Sequence, residues 1–245
     1  MIRLATYFPL VVGLVLLAGT GRASGYEVRS ETVAVVELFT SQGCSQCPPA
    51  DAFLAELGAR EGVVALAYHI DYWDYIGWED TFALPAHTEL QKAYAASWGK
   101  NRVYTPQMVI NGAHGVVGSH TDKVEGALAQ EALALAPSVS IGPDDTAHLS
   151  VPAVAGLPQA IVWLVTWREG ADVSVARGEN SGKVLRYTHI VTGRQAIGMW
   201  NAQIGAEIAI PLEAAMGHND GMAVIVQEKR GDLPGRVLGA AQITR

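Results

Sequence analysis

The sequence predicts an α/β fold, with a mixed sheet flanked by helices, over residues 25–137, followed by an antiparallel β-sandwich over residues 138–245. In the first part, apolar strand patterns at residues 33–39 and 63–70 enclose a helical pattern, an order typical of a right-handed parallel strand–helix–strand unit. In the second part, a series of short apolar runs is separated by turn residues, a spacing typical of β-sandwiches.

The composition indicates a folded protein with a large core. Of the 245 residues, 49% are hydrophobic and 17% are charged, which excludes a disordered chain. The formal net charge is −7, and lysine and arginine form no cluster in the sequence. We therefore expect no binding to nucleic acid or to an anionic membrane.

Residues 1–24 have the pattern of a secretory signal peptide: Arg3 precedes the apolar run Phe8–Ala18, and a small-x-small cleavage site ends at Ala23. The run is short for a membrane span, and an uncleaved anchor is the alternative. Cleavage near Ala23 would remove Arg3 and Arg22, which moves the net charge from −7 by two units to −9. The mature protein is then expected to be periplasmic or secreted, without a stable membrane span.

The two cysteines of the chain, Cys44 and Cys47, form a Cys-x-x-Cys pair where the first predicted strand meets the following helix. The spacing allows a small disulfide ring, and the partial positive charge of a helix N-terminus lowers a thiol pKa. We expect Cys44, nearer the helix start and more exposed, to be the nucleophile and Cys47 to be the resolving thiol. A metal site that includes His69 is one alternative. A structural disulfide is another, although so small a ring removes little entropy from the unfolded chain.

Aromatic and acidic residues fill positions 69–78, after the second predicted strand and at the sheet edge that carries the cysteines. Asp71 and Trp73 are candidates for binding a partner in a groove; alternatively, the aromatic side chains pack beneath the next helices. Residues 79–99 then predict two short helices that are interrupted at Pro85.

A short strand is predicted at residues 107–110, because Pro106 is tolerated at a strand's beginning. A turn at Asn111-Gly112 follows, and Ser119 or Thr121 is then expected to cap a helix that runs through Lys123 to Leu135. In the second half, residues 168–170 predict a turn between two strands.

Residues 178–183 resemble a phosphate loop only superficially, since the required spacing is missing and no helix follows; they predict a hairpin loop.

The segments VVELFTSQGCSQC and TPQMVING, together with the element order, resemble the thioredoxin-like superfamily over residues 31–136. The resemblance implies that Pro106 is cis and packs against the disulfide, and that Thr105 offers its backbone to a substrate. It also implies that Glu37, one residue further from the first cysteine than thioredoxin's buried acid, accepts the proton of Cys47. Alternatively, Glu37 faces solvent or a backbone group.

The signal peptide, ELFTSQGCSQCPPAD and HIDYWDYIGW also look like a family of predicted secreted bacterial proteins of unassigned function with this fold. The sequence thus predicts an exported thiol–disulfide oxidoreductase that acts on a protein or small-molecule disulfide and needs no cofactor. Two alternatives remain. One is a copper-binding module that uses Cys44, Cys47 and His69, and the other is an interaction protein whose dithiol is not catalytic.

Overall fold

The computed structural model of the protein describes residues 25–130 and 132–245, so the predicted signal peptide lies outside the described residues. Most elements lie where hydrophobic periodicity places them. In chain order they are β1 (Glu27–Arg29), β2 (Ala34–Thr40), α1 (Pro48–Gly58), β3 (Val63–His69), α2 (Pro85–Ser97), β4 (Gln107–Ile110), β5 (His114–Val117), α3 (Thr121–Leu128), β6 (Ser138–Ile141), β7 (Thr146–Val151), β8 (Ala160–Ser174), β9 (Val184–Trp200), β10 (Ala206–Pro211), α4 (Leu212–Met216), β11 (Gly221–Arg230) and β12 (Leu233–Thr244).

The molecule is a mixed α/β protein whose main sheet has nine strands in the order β1-β12-β11-β8-β9-β3-β2-β4-β5. Strands β2 and β3 are parallel, as the crossover through α1 requires, whereas β4 and β5 form an antiparallel hairpin at the sheet edge. Strand β9 joins the two halves through one parallel pair, Ala67 with Ile190. The remaining strands form a second sheet in the order β10-β7-β6.

The strands expected to form a sandwich of their own are therefore divided between two sheets, and four of them continue the sheet of the first half. The small sheet shares one apolar core with β8 and β11, through residues such as Leu149, Leu164 and Val224. The division into domains between residues 137 and 138 stays a prediction.

Both faces of the main sheet are covered near β2, because its side chains alternate between two cores. Val36 and Leu38 pack with α1 and α3, and Val35 and Phe39 pack on the opposite face with Tyr94 of α2. This alternation decides which polar side chains of β2 can reach the cysteines.

Three local predictions are corrected by the structure. A single helix, α2, replaces the two predicted over residues 79–99: it begins at Pro85, where the missing N–H has no cost in the first helical turn. Helix α3 spans Thr121–Leu128 and so ends before Leu135, where its end was predicted. Residues 168–170 lie inside β8, whose pairing with β9 continues through Gly170 opposite Thr188. Beyond Trp167, where the pairing of β8 with β11 ends, β8 and β9 project as a two-stranded arm.

Candidate functional site

The two cysteines are joined by a disulfide between the end of β2 and the start of α1. Their Cα atoms are 5.4 Å apart. The pair lies at the carboxyl edge of the parallel strands β2 and β3, where functional groups collect in α/β sheets. Cys44 is 2% exposed and Cys47 is 0% exposed, so the expected difference in exposure between them is slight.

The first turn of α1 can stabilise a cysteine thiolate through the helix dipole, but it offers few free N–H groups for hydrogen bonds. Pro48 and Pro49 have no N–H, and the N–H groups of Ala50 and Asp51 both donate to the carbonyl of Cys47, at 2.8 and 3.1 Å. A thiolate formed here would therefore be stabilised by the partial positive charge of the helix end rather than by hydrogen bonds from these four positions.

Gln42 fixes the turn that leads into the cysteines. Its backbone N–H donates to Asp80 Oδ2 at 2.7 Å, and its Nε2 donates to Thr81 Oγ1 at 2.9 Å. Its Oε1 accepts a hydrogen bond of 2.9 Å from Trp78 Nε1. Because Gln42 is fully buried, satisfying these polar groups holds the turn in one conformation.

Trp73 connects the cysteine turn to the predicted substrate-binding segment. Its Nε1 donates to Thr105 Oγ1 at 2.7 Å, and its Cβ would lie 3.2 Å from a Cβ added to Gly43. A side chain at position 43 would thus push Trp73 away, which accounts for the glycine beside Cys44. The peptide bond between Thr105 and Pro106 is cis, in agreement with the expectation from the resemblance.

Asp71 is engaged elsewhere, since its Oδ1 accepts a hydrogen bond of 2.5 Å from Thr88 of α2. Tyr72 likewise donates to Gln91 at 3.1 Å. The aromatic segment therefore packs largely against its surroundings, although Tyr75 is 82% exposed.

Glu37 lies on the α2 face of β2, opposite the face that packs against α1. Its Oε2 accepts a hydrogen bond from Tyr94, whose hydroxyl in turn accepts one of 2.8 Å from Gln227 Nε2. Arg194 completes the chain by donating to Gln227 Oε1 at 2.6 Å. Burial raises the pKa of Glu37, against the opposing effects of Arg194 and the Tyr94 hydrogen bond. The structure thus places Glu37 in a polar network away from the cysteines.

Asp51 is a second buried carboxylate, and it lies on the cysteine side of the sheet. It follows Cys47 by four residues, the spacing that makes side chains neighbours on a helix. It is 6% exposed, and neither carboxylate oxygen has a close hydrogen-bond partner within the described chain. Burial raises its pKa to about 7, against smaller opposing effects of His69 and the nearby Thr40 hydroxyl.

His69 and Asp80 form a buried pair behind Asp51. His69 Nδ1 lies 2.8 Å from Asp80 Oδ2, and both side chains have 0% exposure. The ring of Tyr187, which β9 contributes, lies 4.7 Å from the His69 ring. Burial raises the pKa of Tyr187, and Asp51 and Asp80 add to this effect. We call Asp51, His69, Asp80 and Tyr187 the buried polar cluster.

The candidate metal ligand His69 thus has one ring nitrogen engaged by Asp80. Across residues 25–130 and 132–245, no group of three or more His, Cys, Asp or Glu side chains is arranged to hold a metal ion. Nor does any helix in these ranges have the length and apolar character needed to cross a membrane.

Sequence reasoning missed several residues of this site, namely Gln42, Asp51, Asp80, Glu179 and Asn180. Of these, Asp51 had a usable signal, because its spacing of four from Cys47 places it beside a cysteine on the helix. Gln42 belongs to the cysteine turn, and Asp80, Glu179 and Asn180 contact that turn from 38, 134 and 138 residues away in the chain.

Fold and site together define a mixed α/β protein with a buried Cys-x-x-Cys disulfide at the beginning of a helix. The chain belongs to the family described as protein of unknown function (DUF1223), whose profile matches residues 35–227. No curated protein matches the chain.

Two solved structures are similar to it. One is an X-ray structure of an Agrobacterium tumefaciens protein from a structural-genomics consortium. It is 32% identical with a TM-score of 0.77, and the match covers 87% of this chain and 95% of that one. The other, HBP35 of Porphyromonas gingivalis, is 15% identical with a TM-score of 0.57, covering 86% of this chain and 74% of that one. The second likeness concerns the fold alone.

Proposed function

We propose that this protein is an exported thiol–disulfide oxidoreductase whose thioredoxin-like unit spans residues 31–136. One observation carries the proposal: the disulfide lies at the junction of β2 and α1, and Trp73 links its turn to Thr105 and the cis Pro106. A partner disulfide docked between these segments would meet Cys44, the slightly more exposed of the two cysteines.

The exchange proceeds in two balanced steps. The Cys44 thiolate attacks one sulfur of a partner disulfide; the partner's S–S bond breaks, and its second sulfur leaves as a thiolate. Cys47 then loses its proton and attacks Cys44 Sγ, which releases the partner's first sulfur as a thiolate and closes the Cys44–Cys47 disulfide. Two electrons pass from the dithiol to the partner, and the reverse sequence oxidises a partner dithiol. No bound cofactor takes part.

In this proposal Asp51, rather than Glu37, accepts the proton of Cys47. Its position on the helix supports the role, as does a pKa of about 7, which suits proton transfer near neutral pH. The nearby His69 lowers this pKa and the nearby Asp80 raises it, both by less than burial does.

The reduction potential of the Cys44–Cys47 pair in the mature protein tests this function. We expect a value between roughly −120 and −270 mV, the range of working oxidoreductases, and its position in that range separates an oxidant from a reductant. A value well below about −300 mV would identify a structural disulfide and overturn the proposal. A Cys44→Ser variant, which forms no internal disulfide, is the control.

Export is proposed from the pattern of residues 1–24. Expression of the full chain in a Gram-negative host, followed by fractionation and N-terminal sequencing, should yield a periplasmic protein that begins near Ser24. Recovery of the uncleaved chain in the membrane fraction would contradict this expectation.

A further inference from the structure

A loop from the second half of the chain lies over the cysteine turn. The arm formed by β8 and β9 ends with the pair Ser174 and Val184, and its connection at residues 176–182, here named the cover loop, reaches the cysteines. Gly178 and Gly182 have φ angles of 78° and 80°. Residues other than glycine rarely adopt such φ angles. The change of chain direction in the cover loop therefore depends on these two glycines.

Asn180 attaches the cover loop to the turn. It is 0% exposed, although the residues on either side of it are exposed. Its Nδ2 donates to the carbonyls of Gln42 and Cys44, at 3.0 and 2.9 Å. Lys183 Nζ donates to Asn180 Oδ1 at 2.9 Å, which orients the amide toward those carbonyls.

Glu179 makes the second attachment, at the residue between the cysteines. Its Oε2 accepts hydrogen bonds from the Ser45 hydroxyl at 2.6 Å and from the Ser45 N–H at 3.3 Å. The cover loop thus contacts the turn at Gln42, Cys44 and Ser45, which are the positions that a docked partner would have to approach.

These contacts decide access because Cys44 is only 2% exposed. An attacking sulfur must reach the Cys44 sulfur in line with the disulfide, and the closed arrangement leaves little room for it. Apart from Asn180, however, the cover loop is exposed and held by polar contacts. Segments with few buried apolar contacts open at low free-energy cost, so local opening is within reach.

We propose that the cover loop competes with the disulfide partner for the cysteine turn, and that Asn180 and Glu179 determine which partners reach Cys44. The proposal rests on the proposed function for its biological meaning, but the access control itself is a property of the disulfide and its cover. A partner gains access when it displaces Asn180 from the two carbonyls and Glu179 from Ser45.

The test compares the rate at which dithiothreitol reduces the disulfide in mature wild-type protein, Asn180→Ala and Glu179→Gln. A dithiothreitol thiolate attacks Cys44 Sγ, Cys47 leaves as a thiolate, and the second thiol of the reagent closes its ring and frees Cys44. We expect reduction to be about tenfold faster in Asn180→Ala, which loses both hydrogen bonds to the cysteine turn, and about threefold faster in Glu179→Gln, which loses a charged acceptor.

Glu207→Gln is a matched control, because Glu207 accepts a hydrogen bond of 2.6 Å from Ser150 on the second sheet. Its rate should equal that of wild type. Thermal melts identify any variant that has unfolded. If Asn180→Ala does not fold, Glu179→Gln still tests the proposal, because it alters an exposed side chain. Rates in the cover-loop variants that match the control would overturn the proposal.

The reduction potential separates the two proposals. A potential below about −300 mV combined with faster reduction in the variants would overturn the oxidoreductase function and leave the access control standing. A potential in the working range with unchanged reduction rates would support the oxidoreductase function and overturn the access control.

Discussion

Glu37 and Asp51 are buried carboxylates on opposite faces of the sheet at β2, and their hydrogen-bonding environments differ. On the α2 face, Glu37 is joined through Tyr94 and Gln227 to Arg194. On the α1 face, Asp51, four residues after Cys47, is buried without a close hydrogen-bond partner within the described chain. Burial raises the pKa of both groups.

The comparison separates a carboxylate that stabilises from one that is available for chemistry. A buried polar group in a satisfied network contributes to a specific core, whereas an unsatisfied one reduces stability and is typical of functional sites. We therefore expect substitution of Glu37 to affect folding, and substitution of Asp51 to affect proton transfer.

The largest expected effect is that of Glu37→Ala, which leaves the buried Tyr94 hydroxyl without its acceptor and removes the carboxylate that interacts with the Arg194 charge. We expect a loss of roughly 3–5 kcal/mol in the free energy of unfolding, measured by urea denaturation at neutral pH. Asp51→Ala should cost far less, since it removes no hydrogen-bond acceptor in use. Equal losses for the two variants would contradict the comparison.

The second-largest expected effect is a pH dependence of stability that comes from the titration of Asp51. Its pKa is raised from 3.8 to about 7 on folding, so between these values the folded state binds more protons than the unfolded state and stability falls as pH rises. The difference in unfolding free energy between wild type and Asp51→Asn should change by on the order of 4 kcal/mol, in the direction that favours the variant above pH about 7.

Denaturation of the oxidised proteins at a series of pH values measures this difference. Because other buried groups titrate in both proteins, their contributions cancel when the unfolding free energy of Asp51→Asn is subtracted from that of wild type. A difference that does not vary with pH would show that Asp51 titrates normally.

The rate at which Cys47 resolves a mixed disulfide should fall about 100-fold in Asp51→Asn below pH about 7, the scale of general-base catalysis. Thionitrobenzoate bound to Cys44 provides the assay, because attack by Cys47 releases a coloured thiolate. The deficit should disappear at alkaline pH, where the thiol ionises without help. Glu37→Gln is the control that should resolve at the wild-type rate, and a deficit of the same size there would sink the assignment of Asp51.

The smallest expected effect is the difference in stability loss between substitutions of two buried tyrosines. Tyr94→Phe removes a hydroxyl that bonds both Glu37 and Gln227, and we expect it to cost about 1–2 kcal/mol. Tyr187→Phe removes a buried hydroxyl that has no hydrogen-bond partner within the described chain, so it should be neutral or slightly stabilising. Chemical denaturation of both variants tests the contrast, and a greater loss for Tyr187→Phe would count against it.

The sequence by itself determined the local features of this protein. Hydrophobic patterns located β2, β3 and the helix α1, Pro106 marked the beginning of β4, and the single Cys-x-x-Cys pair identified the redox candidate. The signal for the hairpin loop at residues 178–183 was also local, and the structure has a loop there. Such features follow from neighbours in the chain, whose spacing the sequence states directly.

Tertiary structure alone decided on which face of the sheet Glu37 lies and what covers the cysteines. The strand period of two places Glu37 on one face or the other, but it does not say which face receives α1. Likewise, turn residues at 168–170 are compatible with a long strand once β9 pairs alongside them. The contact of Asn180 with Cys44 spans 136 residues, and it exists because the β8–β9 arm extends past β11. These outcomes depend on how distant elements pack, and local propensity carries no information about that packing.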